Sequence, residues 1–200
     1  MTQSIIFATT NIGKATALRA LTAPYGIDVV QVNVDWIEPQ ADSVLEVAAS
    51  KAAQAVKLLG KPVVVEDSGF AIDSLNGFPG AYTKYVMATI GAEGLLRLAA
   101  PFQIATCYFA SAMYYMSPDG AERSFIDHSA TGTLATHVDE NDSLDAWAEL
   151  WHIFIPTGYD KPLSSFTADE RKALMQVWQG SSVYGQFVRW LVSETKRNLV

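Results

Sequence analysis

Apolar and polar positions along the first third of the chain alternate between two periods. Residues 4–8, 27–34 and 63–66 are short apolar runs of strand length, and the third opens on three β-branched valines. Between them the spacing changes. Residues 15–21 read as helix, and Val44, Val47, Ala48, Ala52, Ala55 and Leu59 recur every three or four positions. Ser43 and Glu46 have the S-x-x-E spacing of a capping box, in which two side chains satisfy free amides at a helix start. Gly60 and Pro62 end that helix. Strand, helix, strand, helix, strand is the pattern of an α/β fold.

After residue 72 the order changes. "LNGFPGAY" (75–82) reads as a turn-rich loop and "GAEGLLRLAA" (91–100) as a short helix. Residues 103–116 and 123–130 read as two strands joined by "SPDG", an antiparallel hairpin. "HVDENDSLD" (137–145) is an acidic surface loop, and residues 151–155 predict one more strand. Thr167 and Glu170 repeat the capping spacing, and the remainder is helical with a break near Gly180. No repeat, low-complexity tract or linker interrupts the chain, so residues 1–200 are expected to form a single domain.

Composition narrows the class. Half the residues are hydrophobic, 18% are charged and 11% are aromatic, which is a globular balance. The net charge is −7, and no run of Lys or Arg offers a surface for a nucleic acid polymer, although a few aimed donors suffice for a small anion. Cys107 is the single cysteine, so no internal disulfide forms, and a reducing, cytoplasmic setting is expected. "MTQSIIFATTN" has no basic segment and no long apolar run, which predicts no signal peptide and no membrane span.

Two stretches carry chemistry. In "ATTNIGK" (8–14) a strand ends, the hydroxyls of Thr9 and Thr10 and the amide of Asn11 form a turn, and Lys14 follows as a helix begins. Such a turn aims backbone amides and hydroxyls at an anion near the positive end of a helix. The alternative is an ordinary strand-to-helix turn with a solvated lysine. The second stretch, "VVVEDSGFAI" (63–72), drives an apolar strand into two adjacent carboxylates, Glu66 and Asp67. Like charges this close are tolerated beside a cation, or where one carboxylate accepts a proton. Mg²⁺ prefers carboxylate oxygens, and a carboxylate beside metal-bound water can take its proton. The alternative is a polar strand end with solvated acids. Neighbours on a strand point to opposite faces, so only one of the two acids is expected to face a metal. Glu38, in "VDWIEPQ", follows the second strand. In a parallel sheet the ends of the first three strands share an edge, where Lys14, Glu38 and Asp67 converge. His128, His137 and His152 lack metal-ligand spacing, and Cys107, Trp178, Trp190 and Leu191 read as core.

Taken in order, these stretches resemble the inosine triphosphate pyrophosphatase family, enzymes that remove noncanonical purine nucleotides. "IIFATTNIGK" is similar to the family's opening strand and T-x-N-x-x-K turn, and "IEPQ" to its E-x-Q segment. "EVAASKAAQA" resembles its helix with a central lysine, and "VVVEDSGFAIDSLNGFPGAYTKY" its longest signature. "ATGTLA" and "FIPTGYDKP" resemble later segments. The resemblance implies a mixed α/β fold with an elongated central sheet, flanking helices and two lobes around a nucleotide cleft. It also implies a homodimer and Mg²⁺-dependent hydrolysis of nucleoside triphosphates to monophosphate and pyrophosphate. Thr9, Thr10, Asn11 and Lys14 would hold phosphates, Glu38 and Asp67 the metal, Asp67 would take the proton of the attacking water, and Ser68 would touch substrate. Glu66 receives no role.

The chain departs from the family late. Where the family has F-G-[YW]-D-P, it reads "AELWHIFIP". In a gap-free continuation the family's base-reading S-H-R triplet falls on Met175, Gln176 and Val177, and a preceding lysine falls on Arg171, which keeps the charge at a substrate-binding position. The phosphate and metal half looks intact and the base-reading half rewritten. Trp147, Trp151 and Trp178 are available to stack on a base. Weaker selectivity for inosine or xanthosine triphosphate, or a shift to another base, is therefore expected. A silent nucleotide-binding protein of this fold and a pyrophosphatase for a modified pyrimidine nucleotide are the alternatives.

Overall fold

The computed structural model describes residues 3–35, 37–102, 104–141 and 149–197. The chain begins with β1 (Gln3–Ala8), α1 (Ile12–Thr22), β2 (Ile27–Val32), α2 (Val44–Leu59) and β3 (Val63–Ile72). It continues through β4 (Pro79–Gly80), α3 (Thr83–Thr89), α4 (Gly91–Ala99), β5 (Thr106–Met116), β6 (Glu122–Leu134) and β7 (Phe154–Pro156), and ends in α5 (Ala168–Gln179) and α6 (Val183–Arg197). The seven strands form a mixed sheet in the order β2-β1-β3-β5-β6-β7, with β4 on β3. Contacts divide the chain into two compact units. The first holds the chain up to Asp67, Ser111–Asp127 and everything from Gln179 on; the second holds Ser68–Ala110 and His128–Trp178.

The first unit is the strand–helix alternation expected from the sequence. β1 pairs in parallel with β2 along its whole length and with the start of β3. α1 is capped by Asn11, whose Oδ1 accepts from the Lys14 amide at 3.1 Å. α2 opens on Ser43, whose Oγ accepts from the Glu46 amide at 3.3 Å, and closes on Gly60 at φ 61°, the left-handed backbone that glycine adopts without a Cβ penalty. The Glu46 carboxylate accepts from the Asp42 amide at 3.2 Å, one residue beyond the reciprocal partner in a full capping box. Ile5, Phe7, Leu18, Val29 and Val64 are sealed by Phe187, Val188 and Leu191 of α6.

Two expectations about the third strand and the loop beyond it need correction. β3 does not end at Glu66; it runs ten residues, and Glu66, Asp67 and Ser68 lie inside it. The polar residues do not stop the strand, because Phe70, Ala71 and Ile72 beyond them are buried and pair antiparallel with β4. The "LNGFPGAY" loop thus contains a short strand. It also leads into α3, a helix the sequence pattern did not signal. Thr83 fixes that junction: its hydroxyl donates to the Gly80 carbonyl at 2.7 Å and accepts from the Phe70 amide at 2.7 Å.

In the second unit, Phe70, Phe109 and Phe154 meet at ring-centroid distances of 4.9–6.1 Å, and Trp178 packs on Phe154 at 6.3 Å. Cys107 is core, as expected, and burial, followed by the charge of Asp73, pushes its thiol up to about 12. The strand expected at 151–155 is shorter, because residues 149–152 form a 3-10 turn and only Phe154–Pro156 is extended. The second capping box is complete. Glu170 N donates to Thr167 Oγ1 at 3.2 Å, and Thr167 N donates to the Glu170 carboxylate at 2.7 Å. Among the described residues no helix is long and apolar enough to cross a membrane.

Candidate active site

The turn after β1 is built from backbone and short side chains. Thr9 is buried; its amide donates to the Val32 carbonyl at 3.0 Å, and its hydroxyl accepts from the Asn11 amide at 3.1 Å. Gln31 of β2 donates its side-chain amide to the Thr9 carbonyl at 3.0 Å, so the second strand holds the turn of the first. Thr10 and Asn11 are exposed at the start of α1. Their groups and the first amides of an eleven-residue helix form an anion-facing end.

Lys14, in the first turn of α1, meets Glu66 Oε2 as an ion pair. The Glu66 side chain is 3% exposed, and Lys14 meets it both as a charge and as a hydrogen-bond donor. Burial raises the pKa of Glu66, Lys14 opposes that rise, and the net position stays above the ordinary glutamate range. Tyr184 of α6 lies on the same side. Its ring meets Phe7 edge-on at 6.4 Å, and burial, with the Glu66 charge adding to it, raises the pKa of its phenol.

Asp67 faces away from Glu66, as strand alternation requires. Its Oδ1 lies 2.8 Å from Lys51 Nζ, and Glu38 Oε1 lies 2.7 Å from the same nitrogen. Burial works to lower the Lys51 pKa, but the hydrogen bonds and charges of Asp67 and Glu38 outweigh it, so the ammonium sits above its ordinary range. The structure therefore holds Thr9, Thr10, Asn11, Lys14, Glu38 and Asp67 in the first unit, but the expected convergence of Lys14 with Glu38 and Asp67 needs correction: Lys14 pairs with Glu66, and Lys51 is the cation that Glu38 and Asp67 share. Lys51 was not assigned from sequence, yet it left a signal. It occupies a position on the buried stripe of α2, with Val47, Ala48, Ala52 and Ala55, where a charge has no place without partners.

Glu38 and Asp67 converge on one positive point, which is the arrangement a hard cation needs. Among the described residues no group of three or more His, Cys, Asp and Glu side chains gathers to hold a metal. Mg²⁺ does not require one, since it keeps waters and takes substrate phosphates beside one or two carboxylates. Three carboxylates against two ammoniums leave this cluster net negative by one when all are ionised, so a divalent cation would make it attractive to a polyphosphate.

The remaining candidates lie in the second unit. Ser68 is exposed on β3 directly after Asp67. Arg171 donates Nη1 to the Phe166 carbonyl at 2.5 Å, at the start of its own helix. Met175 and Val177 are exposed on α5. Trp151 is buried, which corrects its reading as a free base-stacking ring, and Trp178 is engaged with Phe154. Trp147 lies outside the described residues.

Residues 5–176 match the model of the Ham1 family. The chain is 38% identical to a dITP/XTP pyrophosphatase of Methanopyrus kandleri over 84% of this chain and 86% of that protein. It is 32% identical to an inosine triphosphate pyrophosphatase of Yarrowia lipolytica over 86% and 88% of the two chains. Its fold is similar to that of the Ham1 protein of Staphylococcus aureus, with a TM-score of 0.74 at 20% identity over 98% of this chain and all of that one.

Proposed function

The chain belongs to the Ham1 family, and from that premise we infer that it is a hydrolase that removes noncanonical purine nucleotides, cleaving dITP and XTP to monophosphate and pyrophosphate. The observation that carries the reading is the convergence of Glu38 and Asp67 on one cation, the Lys51 ammonium. In the reaction, water adds at phosphorus and the bridging oxygen between the α- and β-phosphates leaves with pyrophosphate. Asp67 accepts the proton that the water loses. Thr9, Thr10, Asn11 and the α1 amides hold phosphate oxygens, Lys14 adds a point charge, and Ser68 contacts substrate. Mg²⁺, when bound by Glu38 and Asp67, would supply charge neutralisation for the phosphates and acidify water. Lys51 keeps the two carboxylates aimed at the same place.

Selectivity among bases is expected to be loose. A site that hydrogen-bonds a base rejects analogues strongly, whereas apolar contacts discriminate by only ~1–3 kcal/mol. The helix α5 offers Met175 and Val177 at positions where the family's triplet was expected to fall. A panel of nucleoside triphosphates with pyrophosphate release as the readout tests both points. Turnover of dITP and XTP is expected, with inosine triphosphate favoured over adenosine triphosphate by less than about a thousandfold in kcat/KM, or ~4 kcal/mol. A larger preference overturns the loose-pocket reading, and no pyrophosphate from any purine overturns the activity.

A homodimer and a cytoplasmic setting belong to the same reading. Phe78, Tyr82, Tyr85 and Ile90 leave large apolar side chains exposed over a short stretch of the second unit, a surface that a second copy would cover. Light scattering should give twice the mass of one chain; a monomer at micromolar concentration contradicts the dimer.

A further inference from the structure

Between β2 and α2 the described residues form no helix or strand, yet Glu38 must stand at a fixed place to meet Lys51. Val34 and Ala41 are buried at either end of this segment. Between them Ile37 is 81% exposed, so its own side chain does not anchor it by apolar packing. The backbone of Ile37 is held instead. Gln54 Oε1 accepts from the Ile37 amide at 3.0 Å, and Gln54 Nε2 donates to the Ile37 carbonyl at 2.8 Å. The same Nε2 lies 3.4 Å from Ser50 Oγ. The primary amide copies the donor–acceptor pair that a neighbouring strand would offer, closing a two-bond ring on one residue. Gln54 lies three positions after Lys51 on α2, so both project from the same side of the helix. One helix face thus grips the backbone just before Glu38 and the carboxylate of Glu38 itself.

We propose that Gln54 is a positioning residue for the metal: it holds the Ile37 backbone so that the Glu38 carboxylate stays convergent with Asp67. The inference rests on the reading of Glu38 and Asp67 as metal ligands. A carboxylate on an unclamped segment must be ordered at the moment of binding, and that ordering lowers affinity. Groups that orient a ligand in this way typically account for about tenfold or more in metal affinity. Gln54 touches no reacting atom, so its loss should act on metal affinity and leave the chemical step, once the metal is bound, near that of the parent protein.

The test uses the full chain with Gln54→Ala, Gln54→Glu and Glu38→Gln. Mn²⁺ binding is measured directly from the resonance signal of the free ion, and the Mg²⁺ concentration for half-maximal dITP turnover is measured at saturating substrate. Gln54→Ala should raise both constants about tenfold, with kcat recovered at saturating Mg²⁺. Gln54→Glu keeps the acceptor but sets a carboxylate against the Ile37 carbonyl, so it should act in the same direction. If Glu38→Gln raises both constants while the Gln54 variants leave them unchanged, the clamp is wrong and the ligand assignment stands. If both Gln54 variants lower kcat at saturating Mg²⁺ without moving either constant, the positioning role is equally overturned. If Glu38→Gln also moves neither constant, the ligand assignment itself fails and the inference falls with it.

Discussion

Replacing Asp67 by Asn is expected to remove nearly all turnover while leaving the fold in place. The side chain keeps its shape, and its contact with Lys51 becomes a neutral amide–ammonium contact in place of the 2.8 Å ion pair. Two functions are lost together. An amide does not take the proton of the attacking water, and it is a weaker ligand for a hard cation. Loss of a positioned general base alone typically lowers the rate by ~10²–10⁴-fold, and weakened metal binding adds to that. Steady-state rates at saturating Mg²⁺ decide the matter. A variant that keeps more than about a tenth of the parent rate shows that Asp67 is not the proton acceptor.

Lys14→Met is expected to damage both binding and stability. As a point charge on the triphosphate, Lys14 should contribute to nucleotide affinity but not to nucleoside affinity, so calorimetry with both ligands separates a phosphate contact from a general disturbance. In the absence of ligand, Lys14 is also the counter-ion of buried Glu66. Removing one member of a buried pair leaves a charge with nothing to compensate it, at a cost of about 3 kcal/mol where the partner is partly exposed. The pH dependence has a definite sign. The pKa of Glu66 in the folded protein is already raised above the ordinary value of 4.5, and loss of Lys14 raises it further. Its contribution is favourable below the unfolded pKa and is lost as pH rises through the folded one. The stability gap between Lys14→Met and the parent should therefore widen from acid toward neutral pH. A gap that is constant with pH would show that Glu66 does not depend on Lys14.

The legible part of the site was the part in which chemistry restricts residue type over a short stretch. Hydroxyls, an amide and a lysine between a strand and a helix leave few readings, and so do two acids after three valines. The pairing of Lys14 with Glu66 was not legible, because the two are far apart in sequence and meet only through the register of β1 with β3. Lys51 was visible as a charge on a buried helix stripe, but only its partners explain it, and they come from two other segments. The length of β3 was misread because Glu66, Asp67 and Ser68 look like a strand end when their burial is unknown. Gln54 gave no signal, since a glutamine on a helix side is ordinary until the backbone it grips is seen. The late region fared worst. Trp151, read as a free ring, is core, and α5 places Met175 and Val177 on its exposed side.

The proposed reaction severs the linkage between the α- and β-phosphates of a purine nucleotide at this cluster. The direct measurement is product identity from dITP with Mg²⁺, for the parent protein and for Asp67→Asn side by side. The parent protein is expected to give one pyrophosphate for each dIMP formed and no orthophosphate, and the variant to lose both products. Orthophosphate and dIDP as products, or a variant as active as the parent, would contradict this expectation.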